Sequence, residues 1–170
     1  MRSVVILGST GSIGTQAVDV VSRNPGRFRV AGLAAGGTSV ERLVEQARAL
    51  RPDIIAVSDP EAARLVQAEL PDTEVWDGPD AATRLAAYEC DVVLNGITGA
   101  AGLEPTLATL AAGTSLALAN KESLVIGGRL VTDAAAPGQI VAVGSEQSAL
   151  AQALRAGRAE EVCKLILTAS

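Results

Sequence analysis

Short apolar runs alternate with amphipathic segments along almost the whole sequence. The runs are rich in Val, Ile, Leu and Ala, as strands buried on both faces of a parallel sheet are. The segments between them repeat apolar residues at helical spacing. Strands that alternate with helices predict βαβ units with right-handed crossovers. We therefore expect an α/β fold, a doubly wound and mainly parallel sheet with helices on both faces.

The same alternation gives the expected bounds of each element. The predicted strands are residues 4–7, 29–35, 53–57, 73–78, 91–97, 115–120, 139–145 and 161–170. The predicted helices are residues 12–23, 39–50, 59–70, 79–90, 103–113, 121–136 and 146–157. Asp59 followed by Pro60 is typical of a helix start. The charged stretch "RAGRAEE" separates the last helix from the last strand, so we expect one domain over residues 1–157 and the start of another over residues 158–170.

Composition excludes several classes of function. The chain has 170 residues, a formal net charge of −5 and a pI of about 4.8. No basic run occurs, so we expect neither nucleic acid nor a membrane as a partner, and no apolar run approaches the roughly 18 residues of a membrane span. Histidine is absent, which leaves acid–base chemistry to carboxylates, Lys, Tyr, Cys or water. Cys90 and Cys163 lie far apart in sequence and are expected to be two buried, reduced thiols of a cytoplasmic protein.

The first predicted strand runs directly into a glycine-rich turn, "GSTGSIG". Gly8, Gly11 and Gly14 form a variant of the dinucleotide-binding fingerprint, in which the glycines permit a tight turn, a close pyrophosphate and close helix packing. Thr10 and Ser12 add hydroxyl donors at a helix N-terminus, which itself favours an anion. The spacing favours a nucleotide site in a Rossmann-like fold. The alternative is a turn whose glycines have only a steric role.

The end of the second predicted strand indicates which nucleotide is bound. NAD sites usually place an acidic residue there to accept hydrogen bonds from the ribose. This chain instead has "GLAAGGTSV", with no acid between Gly32 and Val40. Gly36, Gly37 and Thr38 offer neutral donors to a 2′-phosphate, and Arg42 is the nearest cation. The sequence therefore favours NADP(H), with a solvent-exposed glycine turn as the alternative.

Three further segments are specific enough to indicate a family. They are "NGITGAAGL" at residues 95–103, "LALANKESLV" at residues 116–125 and "VAVGSEQSALAQAL" at residues 141–154. Together with "GSTGSIG" they resemble 1-deoxy-D-xylulose 5-phosphate reductoisomerase, and the resemblance runs from Ser3 to Ser170 in the same order. It implies an NADPH-dependent oxidoreductase of non-mevalonate isoprenoid synthesis. Such an enzyme rearranges a phosphorylated ketose, reduces the resulting aldehyde to 2-C-methyl-D-erythritol 4-phosphate, and uses a divalent metal, Mg²⁺ or Mn²⁺.

The resemblance also implies roles for individual residues. Cofactor contacts are implied at Gly8, Thr10, Gly11, Ser12, Ile13, Gly36, Gly37, Thr38, Asn120 and Glu122. Substrate contacts are implied at Lys121, Ser145, Glu146 and Ser170, with Lys121 and Glu146 as the catalytic pair and Glu146 as a metal ligand. Asn120 has a second reading, as the cap of a helix N-terminus. That reading does not explain an adjacent Lys and Glu at the end of a buried strand.

Two departures from the family pattern bear on activity. The family usually reads Asp-Ser-Glu-His where this chain reads Gly144-Ser145-Glu146-Gln147. A hard divalent cation prefers carboxylate oxygens, and Gly144 supplies none. Family members are also much longer and continue into a catalytic domain. We therefore expect the chain alone to be inactive and to have no tight site for Mg²⁺ or Mn²⁺.

Three functions remain open at this point. The first is the cofactor domain of a reductoisomerase that acts on a phosphorylated sugar. The second is a non-catalytic or degenerate NADP-binding paralogue with a lost metal site, which Gly144 favours. The third, a relative of aspartate-semialdehyde dehydrogenase, needs a cysteine nucleophile, and neither Cys90 nor Cys163 lies at a glycine-rich strand end. An apolar final strand predicts a homodimer or other self-association through residues 161–170.

Overall fold

The computed structural model of the chain describes residues 1–166, and its centre is one seven-stranded sheet. The strands are β1 (Arg2–Leu7), β2 (Phe28–Ala35), β3 (Ile54–Val57), β4 (Glu74–Asp77), β5 (Val92–Asn95), β6 (Ser115–Leu118) and β7 (Ile140–Ala142). Their order in the sheet is β4-β3-β2-β1-β5-β6-β7, and every neighbouring pair is parallel. The order reverses beside β1, which is the pattern of a doubly wound sheet.

Helices connect the strands and cover both faces of the sheet. They are α1 (Ser12–Ser22), α2 (Val40–Leu50), α3 (Pro60–Glu69), α4 (Ala81–Ala86), α5 (Leu103–Ala111), α6 (Lys121–Gly127), α7 (Arg129–Ala134) and α8 (Ser145–Leu154). Single 3₁₀ turns span Ala100–Gly102 and Ala159–Glu161. The predicted doubly wound α/β fold is confirmed. Within residues 1–166 no helix is long and apolar enough to cross a membrane.

The central strand β1 shows why four consecutive residues, Val4 to Leu7, are all apolar. Val4 and Ile6 belong to a core that α1, α2 and α3 cover. Val5 and Leu7 belong to a second core on the opposite face, under α4. Successive side chains of a strand point to opposite faces, so a strand covered on both sides needs apolar residues at every position. Each fully buried side chain of this size contributes about 1.5–3 kcal/mol.

Helix α3 begins as the sequence predicts. The Asp59 carboxylate accepts hydrogen bonds from the backbone N–H groups of Glu61 and Ala62, at 2.8 and 3.3 Å. Pro60 is the first helical residue, where its missing N–H has no partner to lose. These residues fix the direction in which the chain leaves β3.

Helical structure between β6 and β7 differs from its prediction. Residues 121–136 were expected to be mostly helix, and the structure divides them into α6 and α7. Gly128 separates the two helices, because its φ of 45° lies in the left-handed region, which glycine adopts without a steric cost. The predicted helix over residues 79–90 is also shorter, since α4 ends at Ala86.

The predicted final strand over residues 161–170 is wrong in its described part. Residues 162–166 have no regular secondary structure, and Val162, Leu165 and Ile166 are exposed. A strand needs a neighbour to satisfy its backbone groups, and none lies beside these residues within the described chain. The remaining residues of this prediction, 167–170, lie outside the described range.

Candidate functional site

A cleft of about 290 Å³ opens at the carboxyl ends of the strands, where the strand order reverses. Doubly wound sheets bind their ligands at this point, because the connections leave the sheet in opposite directions there. The loops after β1, β2 and β5 supply the walls. Its lining includes Gly8, Gly11, Gly36, Gly96, Ile97 and Ala101.

Two glycines of the "GSTGSIG" turn are required by the fold. Gly8 has a φ of 77°, and a Cβ atom there would lie 2.9 Å from the backbone of Gly96. Gly14 lies in the first turn of α1, and a Cβ atom there would lie 2.2 Å from the Gly8 carbonyl oxygen. Any side chain at Gly14 would push α1 away from the turn. These two positions agree with the steric alternative.

Gly11 is different, because neither a positive φ nor a severe backbone overlap requires a glycine there. It is exposed and has φ −77° and ψ 176°, an extended conformation that any residue adopts. A Cβ atom would meet only the Gly8 carbonyl oxygen, at 3.3 Å. Helix α1 starts at the next residue and has no side-chain cap. Its first N–H groups therefore lie at the cleft without intrahelical partners, and the missing Cβ leaves room for a ligand beside them.

Two side chains of α2 hold the backbone of the same turn. Gln46 Nε2 donates to the Ser9 carbonyl oxygen at 2.9 Å, and Arg42 Nη1 donates to that of Thr10 at 3.2 Å. Gln46 is buried and Arg42 is exposed, one helical turn apart. We call this pair the α2 clamp. Gln46 could not be identified from the sequence, because its i, i+4 spacing from Arg42 does not reveal which loop the helix lies over.

The loop after β2 contains one glycine that the fold needs and one that it does not. Gly37 has a φ of 113°, and a Cβ atom there would lie 2.8 Å from the Cβ atoms of Asp59 and Ala62. Gly36 and Thr38 are exposed, and nothing lies within 4 Å of the Cβ position of Gly36. Gly36 and Gly11 both line the cleft. The space for a Cβ atom is open at Gly36, and at Gly11 a single backbone oxygen borders it.

The remaining predicted cofactor contacts lie after β6. Asn120 is only 2% exposed, and its Oδ1 caps α6 by accepting from the Ser123 N–H at 2.7 Å. Its Nδ2 donates to the carbonyl oxygens of Ile97 and Gly99. Lys121 is exposed and Glu122 half-buried in the first turn of α6. The capping role of Asn120 is confirmed, and its side chain has protein partners for each of its polar atoms.

A family model for 1-deoxy-D-xylulose 5-phosphate reductoisomerase matches residues 4–128, which include the whole glycine-rich turn, the loop after β2 and the start of α6. The chain belongs to this family.

Individual reductoisomerases support the same assignment. The enzyme of Rhodococcus jostii is 61% identical over 168 residues, which cover 98% of this chain and 41% of that protein. The structure of the Zymomonas mobilis reductoisomerase in complex with NADPH superimposes with a TM-score of 0.80 at 35% identity, over 85% of this chain and 39% of that one. A reductoisomerase structure with NADPH, fosmidomycin and magnesium gives 0.78 at 34% identity, over 85% and 36%. The chain thus spans less than half the length of the curated relatives that it matches.

The segment Gly144-Ser145-Glu146-Gln147, which aligns with the Asp-Ser-Glu-His of the family, lies at the start of α8. The pKa of Glu146 is below its ordinary value, because its carboxylate accepts from its own backbone N–H and from the Ser145 hydroxyl. The positive charge of Lys121 also lowers that pKa, as the smallest of these causes, and both side chains are exposed. Ser170, the other predicted substrate contact, lies outside the described residues.

These residues do not by themselves fit a tightly held divalent metal. Within residues 1–166 no three His, Cys, Asp or Glu side chains are grouped as metal ligands. Gly144 has no carboxylate, and the Gln147 side-chain oxygen lies 2.5 Å from where its Cβ would be. Glu146 alone offers one exposed carboxylate. A hard cation needs several oxygen ligands, which this group does not supply.

Proposed function

We propose that residues 1–157 are the NADPH-binding domain of a 1-deoxy-D-xylulose 5-phosphate reductoisomerase and that residues 158–170 begin its catalytic domain. The observation that carries the proposal is that Gly11 and Gly36 both line the cleft, although the backbone conformation of neither residue requires a glycine. The fold itself requires neither glycine. A dinucleotide lying across the reversal of strand order explains both, because its phosphates approach the backbone of the loops after β1 and β2.

We assign the pyrophosphate and the 2′-phosphate of the cofactor to two different loops. The pyrophosphate is proposed to lie at the N-terminus of α1, against Thr10, Gly11, Ser12 and Ile13. The 2′-phosphate is proposed to lie against Gly36, Gly37 and Thr38. Arg42 supports this assignment, because it reaches the turn from α2 and forms no ion pair within the described residues. A guanidinium fork is suited to a phosphate.

We base the proposed reaction on the reductoisomerase family to which the chain belongs. Bound NADPH supplies a hydride to the aldehyde that forms when 1-deoxy-D-xylulose 5-phosphate rearranges, giving 2-C-methyl-D-erythritol 4-phosphate. Lys121 provides a mobile positive charge for substrate oxygens, and Ser145 and Glu146 contact the substrate from the start of α8. The low pKa of Glu146 supports an ionised carboxylate there at neutral pH. Glu122 is proposed to contact the cofactor beside Lys121. The chain alone is proposed to be inactive, and the active protein to be cytoplasmic. Cys90 is half-buried and Cys163 is exposed, so the expectation of two buried thiols is wrong for Cys163.

The chain is expected to bind NADPH at least about tenfold more tightly than NADH, because the loop after β2 has no carboxylate to repel a 2′-phosphate. Replacing Arg42 by Ala should reduce NADPH affinity several-fold and NADH affinity less, because Arg42 holds the pyrophosphate turn for both nucleotides and only NADPH carries the 2′-phosphate. Isothermal titration of both nucleotides into both proteins measures the four affinities. Glu45→Ala, on the same exposed surface of α2, is the matched control. Equal affinity of the unaltered chain for the two nucleotides would overturn the assignment.

The domain boundary and self-association are tested together by removing residues 158–170. The shortened chain should bind NADPH with an affinity within about twofold of the full chain, because the described residues beyond 157 are mostly exposed. It should also be more monomeric, since the exposed Val162, Leu165 and Ile166 favour association. Sedimentation velocity measures the second effect. Loss of NADPH binding would place the boundary elsewhere, and an unchanged oligomeric state would contradict self-association through this segment.

A further inference from the structure

Four buried polar side chains lie beneath the loop that follows β5. They are Asn95, Thr106, Ser123 and Asn120, from β5, α5, α6 and the residue before α6, and all are at most 2% exposed. Burying such groups is unfavourable unless each finds a hydrogen-bond partner. Every side-chain oxygen and nitrogen of the four has one.

The hydrogen bonds of these side chains run in one direction. Asn95 Nδ2 donates to Thr106 Oγ1 at 2.9 Å, and Thr106 Oγ1 donates to Ser123 Oγ at 3.2 Å. Ser123 Oγ in turn donates to Asn120 Oδ1. Each hydroxyl is both donor and acceptor, so each bond polarises the next and the set is stronger than its separate members.

The series closes into a ring through the backbone of the loop. Asn120 Nδ2 donates to the Ile97 carbonyl oxygen, and the Ile97 N–H donates to Asn95 Oδ1 at 3.1 Å. Two more bonds hold the same loop: Asn120 Nδ2 to the Gly99 carbonyl oxygen at 2.9 Å, and Asn95 Nδ2 to that of Gly102 at 2.8 Å. We call the four side chains and Ile97 the asparagine ring. It fixes the loop at three points.

The asparagine ring lies between the cleft and α6. The loop residues Gly96, Ile97, Thr98 and Ala101 line the cleft on its β5 side. The adenosine half of a dinucleotide lies toward β2 in this topology, so the β5 side receives the nicotinamide half. On its other side the ring caps α6, whose first residue is Lys121. The same set of hydrogen bonds therefore fixes the position of the cleft wall relative to Lys121.

We propose that the asparagine ring positions the nicotinamide side of the cleft relative to Lys121 and Glu122, and that Thr106 and Ser123 are positioning residues that touch no ligand. The proposal rests on the NADPH site described above. It also changes the role of Asn120, whose side chain acts through the protein. A direct side-chain contact with the cofactor would require Asn120 to give up the bonds that hold Ile97 and Gly99.

Helix α5 provides a matched pair of variants. Thr106 and Thr109 are one helical turn apart and both fully buried. Thr109 donates to the carbonyl oxygens of Pro105 and Ala86 and takes no part in the ring. Thr106→Val and Thr109→Val remove the same hydroxyl in the same kind of site. Titrations with NADPH and with 2′,5′-ADP, which carries only the adenosine half, separate the two sides of the cleft.

The Thr106→Val variant is expected to bind NADPH about five- to tenfold more weakly, because a buried hydrogen bond contributes on the order of 1 kcal/mol. Its affinity for 2′,5′-ADP should be unchanged, and Thr109→Val should change neither. Ser123→Ala, which breaks the ring on α6, should reproduce Thr106→Val and serves if that variant is poorly folded. Equal effects of Thr106→Val and Thr109→Val on NADPH, or equal losses of NADPH and 2′,5′-ADP affinity, would overturn the proposal.

Amide hydrogen exchange tests the ring without any ligand. The Ile97 and Ser123 N–H groups, which donate to the two asparagine side chains, should exchange roughly tenfold faster in Thr106→Val than in Thr109→Val. If the unaltered chain does not bind NADPH, the proposed function fails while this comparison still decides the ring. Unchanged exchange at both amides would refute the ring as a positioning device.

Discussion

The Gly11→Val variant is expected to keep its fold and to lose NADPH binding. The Cβ position of Gly11 is open apart from the Gly8 carbonyl oxygen at 3.3 Å, and its backbone conformation suits any residue. The fold should therefore lose only about 1 kcal/mol, the usual cost of an apolar residue at the start of a helix. A pyrophosphate, in contrast, must approach the space that the valine side chain occupies, so affinity should fall by more than about 100-fold.

Two measurements on this variant decide between the functional and the steric reading of the turn. Calorimetric titration gives NADPH affinity, and thermal denaturation without ligand gives the stability of the fold. If the folded variant binds NADPH as the unaltered chain does, Gly11 does not face the pyrophosphate and the turn is structural. Gly11→Ala is the intermediate case and should weaken binding less than the valine does, because it occupies less of the same space.

The Gly14→Val variant is expected to show the opposite behaviour, a loss of folding. A Cβ atom at Gly14 would lie 2.2 Å from the Gly8 carbonyl oxygen and 2.5 Å from the Ser9 Cα. Both are backbone atoms, so no side chain can rotate away and α1 must shift from the sheet. Overpacking of this kind costs about 3 kcal/mol or more, a large part of the stability of a domain.

Urea denaturation followed by circular dichroism measures this loss directly. Gly11→Val is the internal comparison, because it adds the same side chain three residues earlier in the same turn. A free energy of unfolding of Gly14→Val within about 0.5 kcal/mol of that of Gly11→Val would show that α1 can move without cost. The close packing at Gly14 would then not be essential to the fold.

The predictions that came out right depend on local chemistry. The apolar β1 and the cap at Asp59 are each specified by neighbouring residues, and the strand alternation implies a parallel sheet. The break at Gly128 was not predicted, because the φ angle of a glycine cannot be inferred from the helical pattern around it. The α2 clamp and the asparagine ring were missed for another reason. Gln46 is 37 residues from Ser9, and Asn120 is 23 residues from Ile97, so only the tertiary fold reveals these partners.

The strand order has a consequence for the sequence of events during folding. Strands β1 to β4 each pair with the strand next to them along the chain, so residues 1–77 can form half of the sheet through nearby segments. Strands β5 to β7 likewise pair with their neighbours along the chain, and the long-range pairing of β5 with β1, Val4 beside Val92, joins the two parts of the sheet. The cleft has no second wall before that step. A nucleotide that binds there stabilises only the completed sheet and offers no support to the half-formed one.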